Sequence, residues 1–278
     1  DKWIFIYFGI MKFPFELSRH IRAPGRAIFG FHIHLRPEAY YKPGVLANIF
    51  KIISDLNVNV VSTKLSIPEF EKKIALAIFI DLTGKEELLD VLRERINGVR
   101  EVKSIEVIEP VYPGFTYDKF FFPLTFIGER AIIFRRSAYL AFIKELRRKL
   151  GTAYEAALYY IGYEMGRRYF RSHKSLAYGD IDRAVRVGEA LFQEAGFGIL
   201  KWVEFDEKNK ITKAEVLDSF ECELFKDEKR KSSHFIRGLL AGWVSEMWKI
   251  PMIAIEEKCI ALGDERCTFY IKKKEERV

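Results

Sequence analysis

The stretch Glu256-Glu257-Lys258-Cys259, continued by Gly263-Asp264-Glu265-Arg266-Cys267-Thr268-Phe269, decides how the C-terminal half of the chain is read. It holds two of the three cysteines in a 278-residue sequence, and they bracket one Gly-Asp turn. Thiolates and a carboxylate are ordinary zinc ligands, but a closed tetrahedral site needs four groups, and this segment offers Glu256, Cys259 and Cys267. The two thiols stand too far apart for a knuckle of the two-residue kind. If Met252-Ile253-Ala254-Ile255 begins a strand, alternation puts Glu256 and Cys259 on opposite faces, so joint ligation requires the strand to break near Glu256. Three readings stay open on spacing: a zinc clamp, a disulfide across a hairpin mouth, and two small core residues.

Working outward, a helical pattern over 234–248 precedes this hairpin. Before it come strands at 200–205 and 214–217, the second extended through Asp218-Ser219-Phe220-Glu221-Cys222-Glu223-Leu224. Helices are expected over 137–150 and 152–171, broken at Gly151, and over 181–195, ended by Gly196 and Gly198. Glu109-Pro110-Val111-Tyr112-Pro113-Gly114 reads as a linker. In front of it, a strand at 28–35, the turn Lys42-Pro43-Gly44, a helix from Val45, strands at 58–65 and 74–80, a helix over 88–96 and a strand at 102–108 give the order β-α-β-β-α-β. That is the ferredoxin-like arrangement, helices on one face of an antiparallel sheet. The fold class is therefore α+β, in four segments: an extension (1–26), a first domain (27–110), a linker (111–125) and a second domain (126–273).

Hydrophobic residues make up 49% of the chain and charged residues 31%, enough apolar surface for two cores and too little bias for disorder. Scarce Gln and Asn beside abundant Lys, Arg and Glu resemble hyperthermophile usage, which keeps a disulfide compatible with a cytoplasmic address. The opening apolar run, residues 1–10, is too short to span a bilayer, and no run approaches eighteen apolar residues, so a soluble, non-secreted protein is expected. The net charge of +7 is concentrated: residues 128–174 hold eleven Lys or Arg against four Glu. With no reader motif, solvated basic helix faces are expected rather than a nucleic-acid surface. His32 and His34 share a strand face and can chelate, though a sheet surface accounts for them as well. No Gly-rich fingerprint follows a strand, and three scattered thiols cannot hold an iron-sulfur cluster alone, which argues against a reductase.

Lys42-Pro43-Gly44-Val45-Leu46 with Asn57-Val58-Asn59-Val60 resembles an ACT domain, a regulatory module that often binds amino acids at an interface. The resemblance implies a site at Lys42, Pro43, Gly44, Val45 and Asn59, where Gly44 permits close backbone approach and a helix N-terminus meets a carboxylate. The usual acidic residue before Pro-Gly falls on Tyr41. Gly162-Tyr163-Glu164-Met165-Gly166, Asp218-Ser219-Phe220-Glu221-Cys222, Phe235-Ile236-Arg237-Gly238-Leu239-Leu240-Ala241-Gly242 and the tail motifs resemble, in order, a 4-vinyl reductase domain. That resemblance implies a fold like the small subunits of vesicle-tethering complexes, a homodimer, and a small hydrophobic ligand. The aromatic-rich helices themselves suggest a pocket walled by Tyr159, Tyr163, Phe235, Leu239 and Trp243, with Gly162, Gly166, Gly238 and Gly242 either admitting the ligand or letting the helices touch. In related aromatic-sensing regulators such a tail holds zinc, which carries over onto Glu256, Cys259 and Cys267. The fourth ligand position falls on Ser233, with His234 or Cys222 as substitutes. Together these imply a noncatalytic ligand sensor. The alternatives are a reductase-related enzyme or accessory protein, and a nucleic-acid-associated regulator.

Overall fold

The computed structural model describes residues 5–7, 10–69 and 72–275; the rest of the opening apolar run lies outside them. The chain divides into two compact units, Asp1–Ile132 and Ile133–Val278. The fold is α+β with antiparallel sheets. Among the described residues no helix is long and apolar enough to cross a membrane.

In the first unit, β1 (Ile28–Leu35), α1 (Val45–Asp55), β2 (Asn59–Glu69), β3 (Lys73–Asp81), α2 (Leu88–Asn97) and β4 (Val102–Ile108) follow the expected order. They form a four-stranded antiparallel sheet in the order β2-β3-β1-β4. Alternation along β3 sorts its apolar residues by face. Leu76, Ile78 and Ile80 pack with Ile49 and Ile53 of α1 and with Leu92 and Ile96 of α2. Ala77 and Phe79 point the other way, where Ile21, Phe120 and Phe121 cover them. The Pro- and Gly-rich segment read as a linker builds part of that cover: Pro110–Tyr112 and Phe115–Tyr117 form a hairpin that pairs with His20–Arg22.

In the second unit, α3 (Thr152–Leu176), α4 (Ile181–Glu194) and α5 (Phe235–Trp248) pack with a sheet of β5 (Ile199–Asp206), β6 (Ile211–Leu217), β7 (Met252–Lys258) and β8 (Cys267–Lys273), in the order β5-β6-β8-β7. Helix α5 is apolar around most of its circumference and is buried over most of its length, as a central helix must be. It meets α3 backbone to backbone. A Cβ on Gly162, Gly166, Gly238 or Gly242 would fall 1.9 to 2.1 Å from a carbonyl oxygen of the facing helix. These glycines therefore exist for helix contact, and no ligand space opens at them.

One expectation fails here. The strand expected to run on through 218–224 ends at Leu217; Asp218 turns the chain with φ 52°, and Cys222–Phe225 forms a 3-10 turn. The apolar alternation of Phe220, Cys222 and Leu224 imitates a strand, but the carboxylate of Glu221 overrides it. Its oxygens accept the N–H groups of His234, Phe235 and Ile236, each at 2.9 Å, and so satisfy the exposed donors at the start of α5.

Candidate functional site

Cys222, Glu256, Cys259 and Cys267 converge in the second unit, all buried, with one ligand atom of each within 4.8 Å of the others. Cys222 Sγ stands 3.5 Å from Cys259 Sγ and from Cys267 Sγ, and 4.0 Å from Glu256 Oε1. Zinc with bonds of about 2.3 Å to sulfur spaces tetrahedral sulfurs about 3.8 Å apart, so this donor set fits the ion. The backbone explains the convergence. The strand break expected at Glu256 for joint ligation does not occur; β7 runs on to Lys258, and a bulge between Glu256 and Lys258 shifts the alternation so that Glu256 and Cys259 are both buried. Beyond it, Asp264 Oδ2 accepts the N–H of Cys259 at 2.8 Å, and Gly263 adopts φ 100°, closing the turn toward Cys267.

Cys222 arrives from the 3-10 turn that Glu221 anchors to α5. Ser233 stands beside the donors: its N–H donates to Glu256 Oε2 at 3.3 Å, and its Oγ lies 2.8 Å from Cys222 Sγ. Of the two expected substitutes for the fourth position, the structure brings in Cys222. His234 instead turns its Nε2 toward Glu155, 3.7 Å away. The three thiols are free, so no disulfide spans the hairpin.

Hydrogen bonds from Cys222 and Cys267 hold the Cys259 thiol well below its ordinary range, and the bond to Cys259 pushes Cys222 up. Burial pushes Glu256 up to about 8. Donors that cannot all ionise together in a buried space are the setting a divalent cation relieves. A closed set of four protein donors leaves no coordination position for a substrate, which is the pattern of a structural metal site.

A second cluster lies where α3, α4 and α5 approach β5. Trp243 packs edge-on against Phe170 at 4.9 Å and lies 5.1 Å from Trp202, which in turn contacts Phe205 at 5.3 Å. Trp243 Nε1 donates to His173 Nδ1 at 3.1 Å. Burial pushes His173 down to about 4, so the ring is neutral and carries its proton on Nε2. Trp202 Nε1 is buried with no acceptor. The expected wall residues divide into separate contacts: Tyr159 stacks with Tyr163 at 6.3 Å, Phe235 packs on Phe197 and Phe220, Leu239 lines the glycine seam, and Trp243 joins Trp202.

Residues 212–273 match the 4-vinyl reductase domain. The matched segment runs from β6 through β8 and carries all four residues of the Cys/Glu cluster. Two curated relatives are proteins of Methanocaldococcus jannaschii, MJ0150 and MJ1642, both described as uncharacterized. They are 29% and 26% identical, over 44% and 46% of this chain and 66% and 70% of their own length. Among solved structures, the phenol-responsive sensory domain of the transcription activator PoxR, solved with phenol, is 20% identical. The match covers 52% of this chain and 78% of that one, with a TM-score of 0.48. A vinyl-4-reductase family protein from M. jannaschii is 23% identical, covering 54% and 87%, with a TM-score of 0.38.

In the first unit, Gly44 caps α1 with φ 88°, and a Cβ there would meet nothing within 4 Å. The start of α1 has no side-chain cap. Lys42 is paired with the largely buried Glu101, and Val45 is buried in the core. Asn59 opens β2 after the far end of α1, an 11-residue helix that rises about 16 Å from the end Gly44 caps. His32 is buried 3.6 Å from Asp118 and His34 is exposed; neither joins a three-ligand group among the described residues. Sequence reasoning missed Trp202 and His173, whose partners come from distant elements and leave no local signal.

Proposed function

We propose that this chain is a noncatalytic ligand-sensing protein whose 4-vinyl reductase-like segment holds a structural zinc and whose aromatic cluster takes a small, largely apolar molecule bearing one acceptor oxygen. The observation that carries the reading is the buried indole N–H of Trp202, which lacks an acceptor beside its aromatic neighbours Phe205 and Trp243. Leaving such a donor unpaired costs about 1 to 3 kcal/mol, and an acceptor on a bound molecule recovers it. Trp243 is the expected wall residue in direct contact with Trp202, and Leu239 lies one turn away on α5. Tyr159, Tyr163 and Phe235 fix the helix pair that holds this wall. The closed Cys222–Glu256–Cys259–Cys267 set supports a clamp that braces the hairpin rather than a reaction centre.

The test is a tryptophan-fluorescence titration with phenol and with toluene, chosen because phenol carries an acceptor oxygen and toluene does not. Phenol should bind the parent about tenfold or more tightly than toluene, and Trp202→Phe should erase the difference. Equal responses to both probes in the parent, or none, would refute the reading.

For the first unit, an amino acid is the proposed ligand, its carboxylate at the start of α1 beside Lys42, Pro43, Gly44 and Val45. Its support is the open space over Gly44 and the uncapped amides behind it. Asn59 would then come from the second copy of a homodimer. Calorimetry at millimolar amino acid should detect binding that Gly44→Val abolishes; no binding would leave this unit a dimerisation element.

A further inference from the structure

Part of the basic run that concentrates the chain's charge is paired with carboxylates at or near the surface. Arg136 pairs with Glu223, Arg148 with Glu145, and Arg167 and Arg171 with Glu246. Arg147 differs. Its side chain is only 2% exposed, its Nε donates to Glu155 Oε1 at 2.6 Å, and its guanidinium lies 4.5 Å over the Phe225 ring. Its Nη1 is buried with no acceptor.

Three further cationic or donor groups converge on the same carboxylate oxygen or on its neighbours. Arg230 Nη1 reaches Glu155 Oε1 at 3.3 Å, and His234 Nε2 lies 3.7 Å from it. Arg237 Nη2 lies 3.5 Å from His234 Nδ1, with its guanidinium 5.3 Å over the Tyr159 ring. His234 Nε2 and Arg237 Nε are buried without a hydrogen-bond acceptor, like Arg147 Nη1. One oxygen of Glu155 thus serves a whole group of donors, and three of the donors go unserved. Lys144, Arg147, Arg230 and Arg237 outnumber Glu155 and Glu228, and still do so when the buried Glu221 is counted as charged.

Buried donors on this scale need acceptors, and guanidinium groups prefer oxyanions with two or more oxygens. We propose that Arg147, His234 and Arg237 form a binding site for a small oxyanion, a carboxylate or a phosphate group, beside the N-terminus of α5. Arg230, 52% exposed, flanks the approach from solvent, and its partner Glu228 can hold it aside. The site shares no side chain with the Cys222–Glu256–Cys259–Cys267 set, and the proposal does not depend on the aromatic ligand. Glu155 orders the donors but repels an anion, so Arg147 and Arg237 must outweigh it.

The experiment is a calorimetric titration of the full chain with inorganic phosphate and, separately, with acetate, at constant ionic strength set by chloride. Saturable binding of either anion is expected, and the tighter one identifies the chemical source. Arg237→Gln, at the less buried end of the cluster, should weaken binding by about 10- to 100-fold, the equivalent of one charge-assisted hydrogen bond. Arg148→Gln, an exposed neighbour in the same basic run, should change nothing. Arg147→Lys keeps the charge and removes the fork, and should also weaken binding. Heats no different from those of chloride, or equal affinity in the parent and Arg237→Gln, would overturn the proposal.

Discussion

Cys222 and Ser233 sit 2.8 Å apart, and their roles separate by substitution. Cys222→Ser removes a donor from a closed set, so the purified variant should carry well under one zinc per chain by elemental analysis and unfold at lower temperature. Ser233→Ala removes only a neighbour of the donors. It should keep stoichiometric zinc while losing about 10- to 100-fold in affinity, the usual scale for groups that orient ligands. Equal zinc loss in both variants would contradict the assignment. Glu256, Cys259 and Cys267 were legible in the sequence because their chemistry is explicit and their spacing short. Cys222 was legible only as a candidate, because what brings it to the hairpin is the reach of Glu221 to α5, a contact across thirteen residues. Trp202 and His173 were invisible, since an unpaired buried donor exists only once the fold has enclosed it.

At the scale of elements, the α3–α5 seam carries the sharpest expectation. A Cβ on Gly242 would fall 1.9 Å from the carbonyl oxygen of Tyr163, a backbone atom of the facing helix that cannot rotate away. Gly242→Ala should therefore cost about 3 kcal/mol, the upper end of overpacking, and Gly242→Leu more, both read by thermal unfolding. Gly196→Ala, where no atom lies near, should cost less through backbone conformation alone. The sequence showed helices at these positions and glycines on them, but whether the glycines admitted a ligand or another helix depended on which faces met. The same gap explains the misread strand at 218–224. Apolar alternation is a local signal, and a single buried carboxylate seeking helix N–H groups outweighed it.

Across the whole molecule, the two units have separate hydrophobic cores, and among the described residues the cluster proposed to hold zinc lies in the second. Thermal or denaturant unfolding should accordingly show two transitions. Stripping metal with a chelator should lower the one belonging to the second unit by several degrees and leave the other in place, because binding energy at a structural site is folding energy. A single transition that shifts as a whole would show that the units unfold together. The β-α-β-β-α-β order of the first unit was readable because its strands and helices alternate with clean periodicity. Its cover was not, since Pro110, Pro113 and Gly114 signal a turn equally well in a linker and in a hairpin laid on a sheet.

The central claim, a zinc-braced unit that takes a small apolar molecule, is tested most directly by native mass spectrometry of the purified chain before and after gentle denaturation. The account predicts one zinc per chain together with a small organic molecule that leaves on denaturation. Zinc without the organic molecule would uphold the metal site, and would overturn the sensing role if phenol also failed to bind. The bare polypeptide mass, under conditions that preserve metal binding in control proteins, would contradict the account at its centre.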